Sequence, residues 1–151
     1  RMTALAEAIG TIDWLIITVA SSEGPGFLRG VAINPGTPVH AVEPVIDLAD
    51  LVLVLAVSPG WSGQAPAART RQRVSDVRQL AERAGVDVLV GVDGGVTIGN
   101  AAEMAGWDID VIVSGSAIFD RVDPAGNLDR LTRELRNPDG RSPQEVPDGK
   151  R

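Results

Sequence analysis

The chain has 151 residues, a net charge of −6, 44% hydrophobic and 23% charged residues, a balance that makes it globular and large enough for one domain with a true core. It has no cysteine, so disulfides and thiolate metal sites are excluded, and its longest apolar run, Leu48 to Val57, falls far short of the roughly 18 residues of a membrane span. No basic region precedes an apolar signal core, and no clustered run of Lys and Arg marks a nucleic-acid surface, so the expectation is a cytoplasmic enzyme that binds neither membrane nor nucleic acid.

In chain order, Ala4–Ile9 has the pattern of a helix end, stopped by Gly10. Trp14–Ala20 is continuously apolar and β-branched and predicts a buried parallel strand. Ser21–Gly26 is a loop, and Gly30–Asn34 a short second strand. Thr37 and Pro38 are a favourable helix start, with Thr37 as the cap and Val42, Val45, Ile46 and Ala49 at helical spacing. Pro44 has no amide hydrogen, so this helix is expected to kink or restart there. Leu51–Val57 predicts a third strand. Ala67–Ala84 is the clearest helix, with Val74, Val77, Leu80, Ala81 and Ala84 on one face and Gly85 as the stop. Arg69, Arg71 and Arg73 belong to its solvated face. Val86–Val92, a short helix Ile98–Ala105, a fifth strand Val111–Ser114 and an amphipathic helix Leu128–Arg136 follow. From Asn137 the tail is polar, with Pro and Gly but no apolar period, and is expected to be disordered.

Strands alternating with helices predict an α/β fold with parallel strands, whose C-terminal ends share one ligand-binding face. Four runs end there in Gly- or Pro-rich turns: Asn34-Pro35-Gly36-Thr37-Pro38, Ser58-Pro59-Gly60-Trp61-Ser62-Gly63-Gln64, Asp93-Gly94-Gly95 and Ser114-Gly115-Ser116. Glycines at such ends let backbone N–H groups approach an anion, and a net-acidic chain must hold a phosphate by local dipoles of this kind. Asp93 places a lone carboxylate where proton chemistry is possible; a turn carboxylate bonded to its own loop is the plainer alternative.

With their flanks and order, Gly30–Pro38, Asp50–Gln64, Val92–Gly95 and Val113–Phe119 resemble the ribulose-phosphate 3-epimerase family, in register from about Ala4 to Phe119. The resemblance implies a partial (β/α)8 TIM-type barrel, a ribulose-phosphate-binding barrel spanning roughly strands 4 to 8, with residues 1–136 as an incomplete barrel domain and 137–151 as the tail. It implies inversion of C3 of ribulose 5-phosphate or xylulose 5-phosphate by two aspartates on opposite faces of the substrate, with a divalent metal cation stabilising the enediolate. Asp93 matches the second aspartate, as acid/base and metal ligand. Gly60, Trp61, Ser62 and Gly63 match the phosphate loop, and Gly94, Gly95, Gly115 and Ser116 the other phosphate-binding positions.

The sequence also departs from the family. Ser62 replaces a glycine, so that its side chain either crowds the phosphate or donates to it, and Leu55 replaces a methionine. The family's first three strands, with a substrate-contacting serine, two metal-binding histidines and the first catalytic aspartate, have no counterpart here. His40, the single histidine, belongs to a surface or helix-packing position. Three readings follow: an epimerase, a catalytically incomplete phosphate-binding remnant, or another phosphosugar barrel enzyme such as a hexulose-phosphate 3-epimerase. The chain is either part of a longer epimerase or a short homologue that covers its open sheet edge with a second copy or a complementing chain.

Overall fold

The structure is a computed structural model and describes residues 15–20, 27–57 and 69–136. Five strands lie in one sheet in sequence order: β1 (Leu15–Ala20), β2 (Phe27–Ile33), β3 (Leu51–Leu55), β4 (Leu89–Asp93) and β5 (Val111–Val113). From β2 to β5 every pairing is parallel, as expected of an α/β chain. The expectation for β1 is corrected: it pairs antiparallel with β2, Leu15 opposite Ala32 and Ala20 opposite Phe27. Only residues 21–26 join the two strands, and a parallel return needs a crossover of a dozen residues or more.

The strands of the parallel portion divide their side chains by the two-residue pleat. Val31, Ile33, Val52, Val54, Val90 and Val92 face the helical layer and form the main core with it. Each fully buried valine contributes about 1.5–3 kcal/mol relative to exposure. The alternate residues Leu51, Leu53, Leu55, Leu89, Gly91 and Asp93 occupy the other face. There β3 and β4 approach so closely that a Cβ on Gly91 would stand 2.7 Å from Leu53 Cδ1.

Between β2 and β3 the chain forms a 3-10 helix, Val39–Leu48, where a kinked α-helix was expected. Pro44 lies inside it and can donate no backbone hydrogen bond. Its cap position is Pro38, with no side-chain cap bond, so Thr37 does not cap it; the Thr37 N–H instead closes a turn onto Asn34 O at 3.0 Å. Val42, Val45 and Ile46 are buried at the expected spacing, while His40 is exposed, as anticipated.

Helix α1 (Thr70–Ala84) buries Val74, Val77, Leu80 and Ala81 and ends at Gly85 in the left-handed region (φ 67°). Its last carbonyls are closed by Gly85 N–H to Glu82 and Val86 N–H to Ala81, both at 3.1 Å. The predicted Val86–Val92 strand begins later, at Leu89, and the short helix is confined to α2 (Ala101–Ala105). Helix α3 (Pro124–Arg136) starts four residues earlier than predicted and packs Leu131 into the core. The expected helix end at 4–9 and the polar tail from 137 lie outside the described residues.

The strand N-termini, opposite the expected ligand face, are tied by one device used twice. Asp50, just before β3, accepts Arg29 N–H at 2.8 Å and the Arg29 guanidinium at 2.7 and 2.5 Å. Asp110, just before β5, accepts Val90 N–H at 2.7 Å and Arg78 Nη2 at 2.6 Å. Each carboxylate thus satisfies a backbone donor on the neighbouring strand and pairs with an arginine, which defines the register at that end.

Candidate functional site

The site is assembled at the C-terminal ends of β3, β4 and β5. Asp93 is the last residue of β4, opposite Leu55 of β3 and Val113 of β5. Its carbonyl accepts the Ala56 N–H at 2.8 Å, so the backbone of the carboxylate-bearing residue is fastened to the end of β3. The side chain is half-buried, and burial raises its pKa above the ordinary carboxylate value. Desolvation is the sole cause of that rise. The alternative of a carboxylate spent on hydrogen bonds to its own loop would lower the pKa instead.

The turn after Asp93 needs its glycines. Gly94 has φ 97° and Gly95 φ 68°, a region that side-chain-bearing residues adopt at a cost of about 1–3 kcal/mol. A Cβ on Gly94 would also lie 2.5 Å from Val57 Cγ2, which packs the β4 turn against the segment that leaves β3. The turn is held from the other side by Asn100, whose Nδ2 donates to Gly95 O at 2.8 Å while its Oδ1 accepts Thr97 N–H at 2.8 Å. Asn100 was not among the residues singled out from sequence. The signal was present as a Thr-x-x-Asn pair ahead of a short helix, which resembles a capping box. Replacing Asn100 with alanine is expected to weaken phosphate-ester binding about tenfold through the freed Gly95 carbonyl, while thermal unfolding shifts by only a few degrees; a titration beside a melting curve checks both.

Next to this turn, β5 ends at Val113, and Gly115 and Ser116 follow it as exposed residues. Gly115 O accepts the N–H groups of Ile118 (3.0 Å) and Phe119 (2.9 Å), and a Cβ on Gly115 would meet nothing within 4 Å. Among the described residues nothing occupies that position. Ser114, just before, has a buried hydroxyl with no hydrogen-bond partner among the described residues. Asp93, Gly94, Gly95, Gly115 and Ser116 thus belong to two adjacent strand ends, as the sequence implied. Gly60, Trp61, Ser62 and Gly63 lie outside the described residues; the described chain leaves β3 toward them at Val57.

Among the described residues no group of three or more His, Cys, Asp or Glu could hold a metal ion. Asp93 supplies one oxygen donor where hard divalent cations take six or more ligands, so the described residues do not complete a metal site. No helix among them is long and apolar enough to cross a membrane.

One sequence expectation fails beside this site. Arg69 and Arg71 are exposed, but Arg73 is not part of a solvated face: it is 9% exposed and donates through Nη1 to Pro35 O in the turn after β2. Burial lowers its pKa from the ordinary arginine value, with the charge of Asp76 opposing. An extended arginine at a helix start can cross to the neighbouring unit, which no periodicity reveals.

A family model described as the ribulose-phosphate 3 epimerase family matches residues 2–119. Similar proteins include the chloroplastic ribulose-5-phosphate-3-epimerase of Arabidopsis thaliana, 40% identical over 108 residues, which are 72% of this chain and 38% of that protein. The ribulose-phosphate 3-epimerase of Escherichia coli K12 is 36% identical over 110 residues, 73% of this chain and 49% of the relative. That of Aquifex aeolicus is 36% identical over 112 residues, covering 74% and 49%. The chain spans about half the length of the curated relatives it matches, or less.

Proposed function

Since the chain belongs to the ribulose-phosphate 3-epimerase family, we propose that it forms the phosphate-holding, Asp93-bearing part of a ribulose-phosphate-binding barrel, strands 4 to 8 of a (β/α)8 fold, that acts on a pentose phosphate in the cytoplasm. Residues 1–136 make up this incomplete barrel domain, and 137–151 a polar tail. The observation that carries the reading is Asp93: a half-buried carboxylate with a raised pKa, at a strand end flanked by glycine turns. A proton beside a carbonyl is weakly acidic, and a carboxylate of raised pKa is a better base toward it.

The Asp93 carboxylate takes the C3 proton of ribulose 5-phosphate. The C–H electron pair moves into the C2–C3 bond, and the C2 carbonyl becomes the enediolate oxygen. The protonated Asp93 then returns a proton to C3 on the same face, while inversion requires a second acid on the opposite face. Backbone N–H groups around Gly94, Gly95, Gly115 and Ser116, together with Gly60, Trp61, Ser62 and Gly63, hold the phosphate and fix the sugar relative to Asp93. The divalent cation implied by the family finds one ligand, Asp93, among the described residues, so the proton step is the chemistry assigned to this chain.

The face that carries Asp93 also exposes Leu89 (37%) and Val113 (41%). This supports completion of the barrel interior by further polypeptide, whether the rest of a longer epimerase, a second copy or a complementing chain.

The test is to incubate the chain with ribulose 5-phosphate in deuterium oxide and follow C3 by NMR. Deuterium at C3 is the expected result. Saturable binding of the sugar phosphate without deuterium uptake would identify a binding remnant instead, and the absence of both would refute the reading.

A further inference from the structure

The sheet face that carries Asp93 is built in levels, because the parallel register sets residues of neighbouring strands side by side. Leu55, Asp93 and Val113 share the level at the strand ends. Leu53, Gly91 and Val111 share the level beneath, two residues and about 6.5 Å closer to the strand N-termini. At the centre of that level Gly91 has no side chain, which leaves a notch under the side chain of Asp93.

The notch is filled from β3. A Cβ on Gly91 would stand 2.7 Å from Leu53 Cδ1 and 3.4 Å from Leu51 Cδ1, so both leucines lean over β4 and the Leu53 methyl takes the place of the missing side chain. Leu53 and Leu51 are 4% and 3% exposed, against 41% for Val113 on the level of Asp93. The half-buried carboxylate thus stands over a closed apolar layer. Proton transfer between a carboxylate and a carbon needs the reacting atoms within about 3–3.5 Å, and a misplacement of about 1 Å can cost about 100-fold in rate. The layer beneath Asp93 is the surface against which both the carboxylate and a bound sugar are set.

We propose that Leu53 is a positioning residue of this site: seated in the notch over Gly91, it fixes the height at which Asp93 meets the reacting carbon of a sugar phosphate held at the strand-end turns. This role rests on the reading of Asp93 as the base. It gives Gly91 a purpose beyond packing, since any side chain there would lift Leu53 toward the carboxylate.

Two changes disturb the layer in opposite senses. Leu53→Ala empties the notch. Gly91→Ala drives Leu53 out of it, and the fold accepts the change because the leucine methyl ends a flexible side chain and Gly91 is not among the glycines of positive φ. Deuterium uptake at C3 by the whole chain is measured over a range of ribulose 5-phosphate concentrations, well below each melting temperature. Expected in each variant is a fall in kcat of roughly tenfold or more with KM within about twofold, since the turns that hold the phosphate are untouched. In the double variant the alanine Cβ stands where the leucine methyl stood, and kcat should exceed the product of the two single losses by about threefold or more. Leu53→Val, which removes one carbon, should fall between the parent and Leu53→Ala, and it decides the outcome if Gly91→Ala does not fold. A lower melting temperature with the parent's kcat would make Leu53 a packing residue only and overturn the proposal, as would a purely additive double variant. Absence of uptake in the parent refutes the epimerase reading and this role with it. Uptake that is equal in parent and variants refutes this role alone.

Discussion

Asp93→Asn is expected to lower deuterium uptake at C3 by about 10²–10⁴-fold, the usual contribution of a positioned base, and at the same time to stabilise the chain above acid pH. The two effects share one cause. Burial raises the folded-state pKa of Asp93 above its unfolded value, near 3.9 for an unperturbed aspartate. The folded chain therefore holds this proton more tightly than the unfolded chain. The resulting stability is fully present below the unfolded pKa and is lost as pH rises through the folded pKa. Asparagine is neutral throughout and avoids the loss. The stability gap between variant and parent should thus grow from acid pH toward neutrality and then level off. Urea unfolding at several pH values measures it. A gap that is flat or that shrinks with rising pH would show that Asp93 is not a desolvated carboxylate. Retained binding of a phosphate ester by the variant would confirm that only the proton step was removed.

Gly94→Ala is expected to be the most damaging single-methyl change at the site, costing about 2–6 kcal/mol. Two penalties add: a backbone in the left-handed region, at about 1–3 kcal/mol, and overpacking against Val57, at about 1–3 kcal/mol. The φ of 97° and the 2.5 Å approach to Val57 Cγ2 are independent features of the same residue. Gly115→Ala is the control, since no described residue lies within 4 Å of its Cβ position. It should leave the unfolding midpoint within experimental error, so that any loss of phosphate binding there reports on the ligand rather than on the fold. Equal destabilisation by the two changes would refute this account of the Gly94 turn.

The two strand ends that carry Asp93 and Gly115 were legible in the sequence because their parts are local. A strand ending in Asp93-Gly94-Gly95 and another ending in Ser114-Gly115-Ser116 can be read from apolar runs and the residues that stop them. Parallel pairing then brings them together, since consecutive βα units place their strand ends on one rim. The β1 strand failed for a related reason. Its apolar content matched a buried parallel strand, but pairing direction depends on the length of the connection, and residues 21–26 are too few for a crossover. The 3-10 form of Val39–Leu48 was only half legible: Pro44 warned of an irregular helix, and the spacing of Val42, Val45 and Ile46, buried in the structure, did not distinguish 3-10 from α.

The sequence by itself determined the α/β class, the apolar face of α1 up to Ala81 (Ala84, expected on it, is exposed) and the identity of the strand-end turns, because each follows from periodicity or from the backbone limits of Gly and Pro. The tertiary structure alone decided the rest. Burial of Asp93 raises its pKa, Asp50 and Asp110 tie the far ends of the strands, and Arg73 leaves its own helix face to hold Pro35. These are contacts between segments remote in sequence. Desolvation and hydrogen bonding depend on distance in space, which no spacing along the chain encodes.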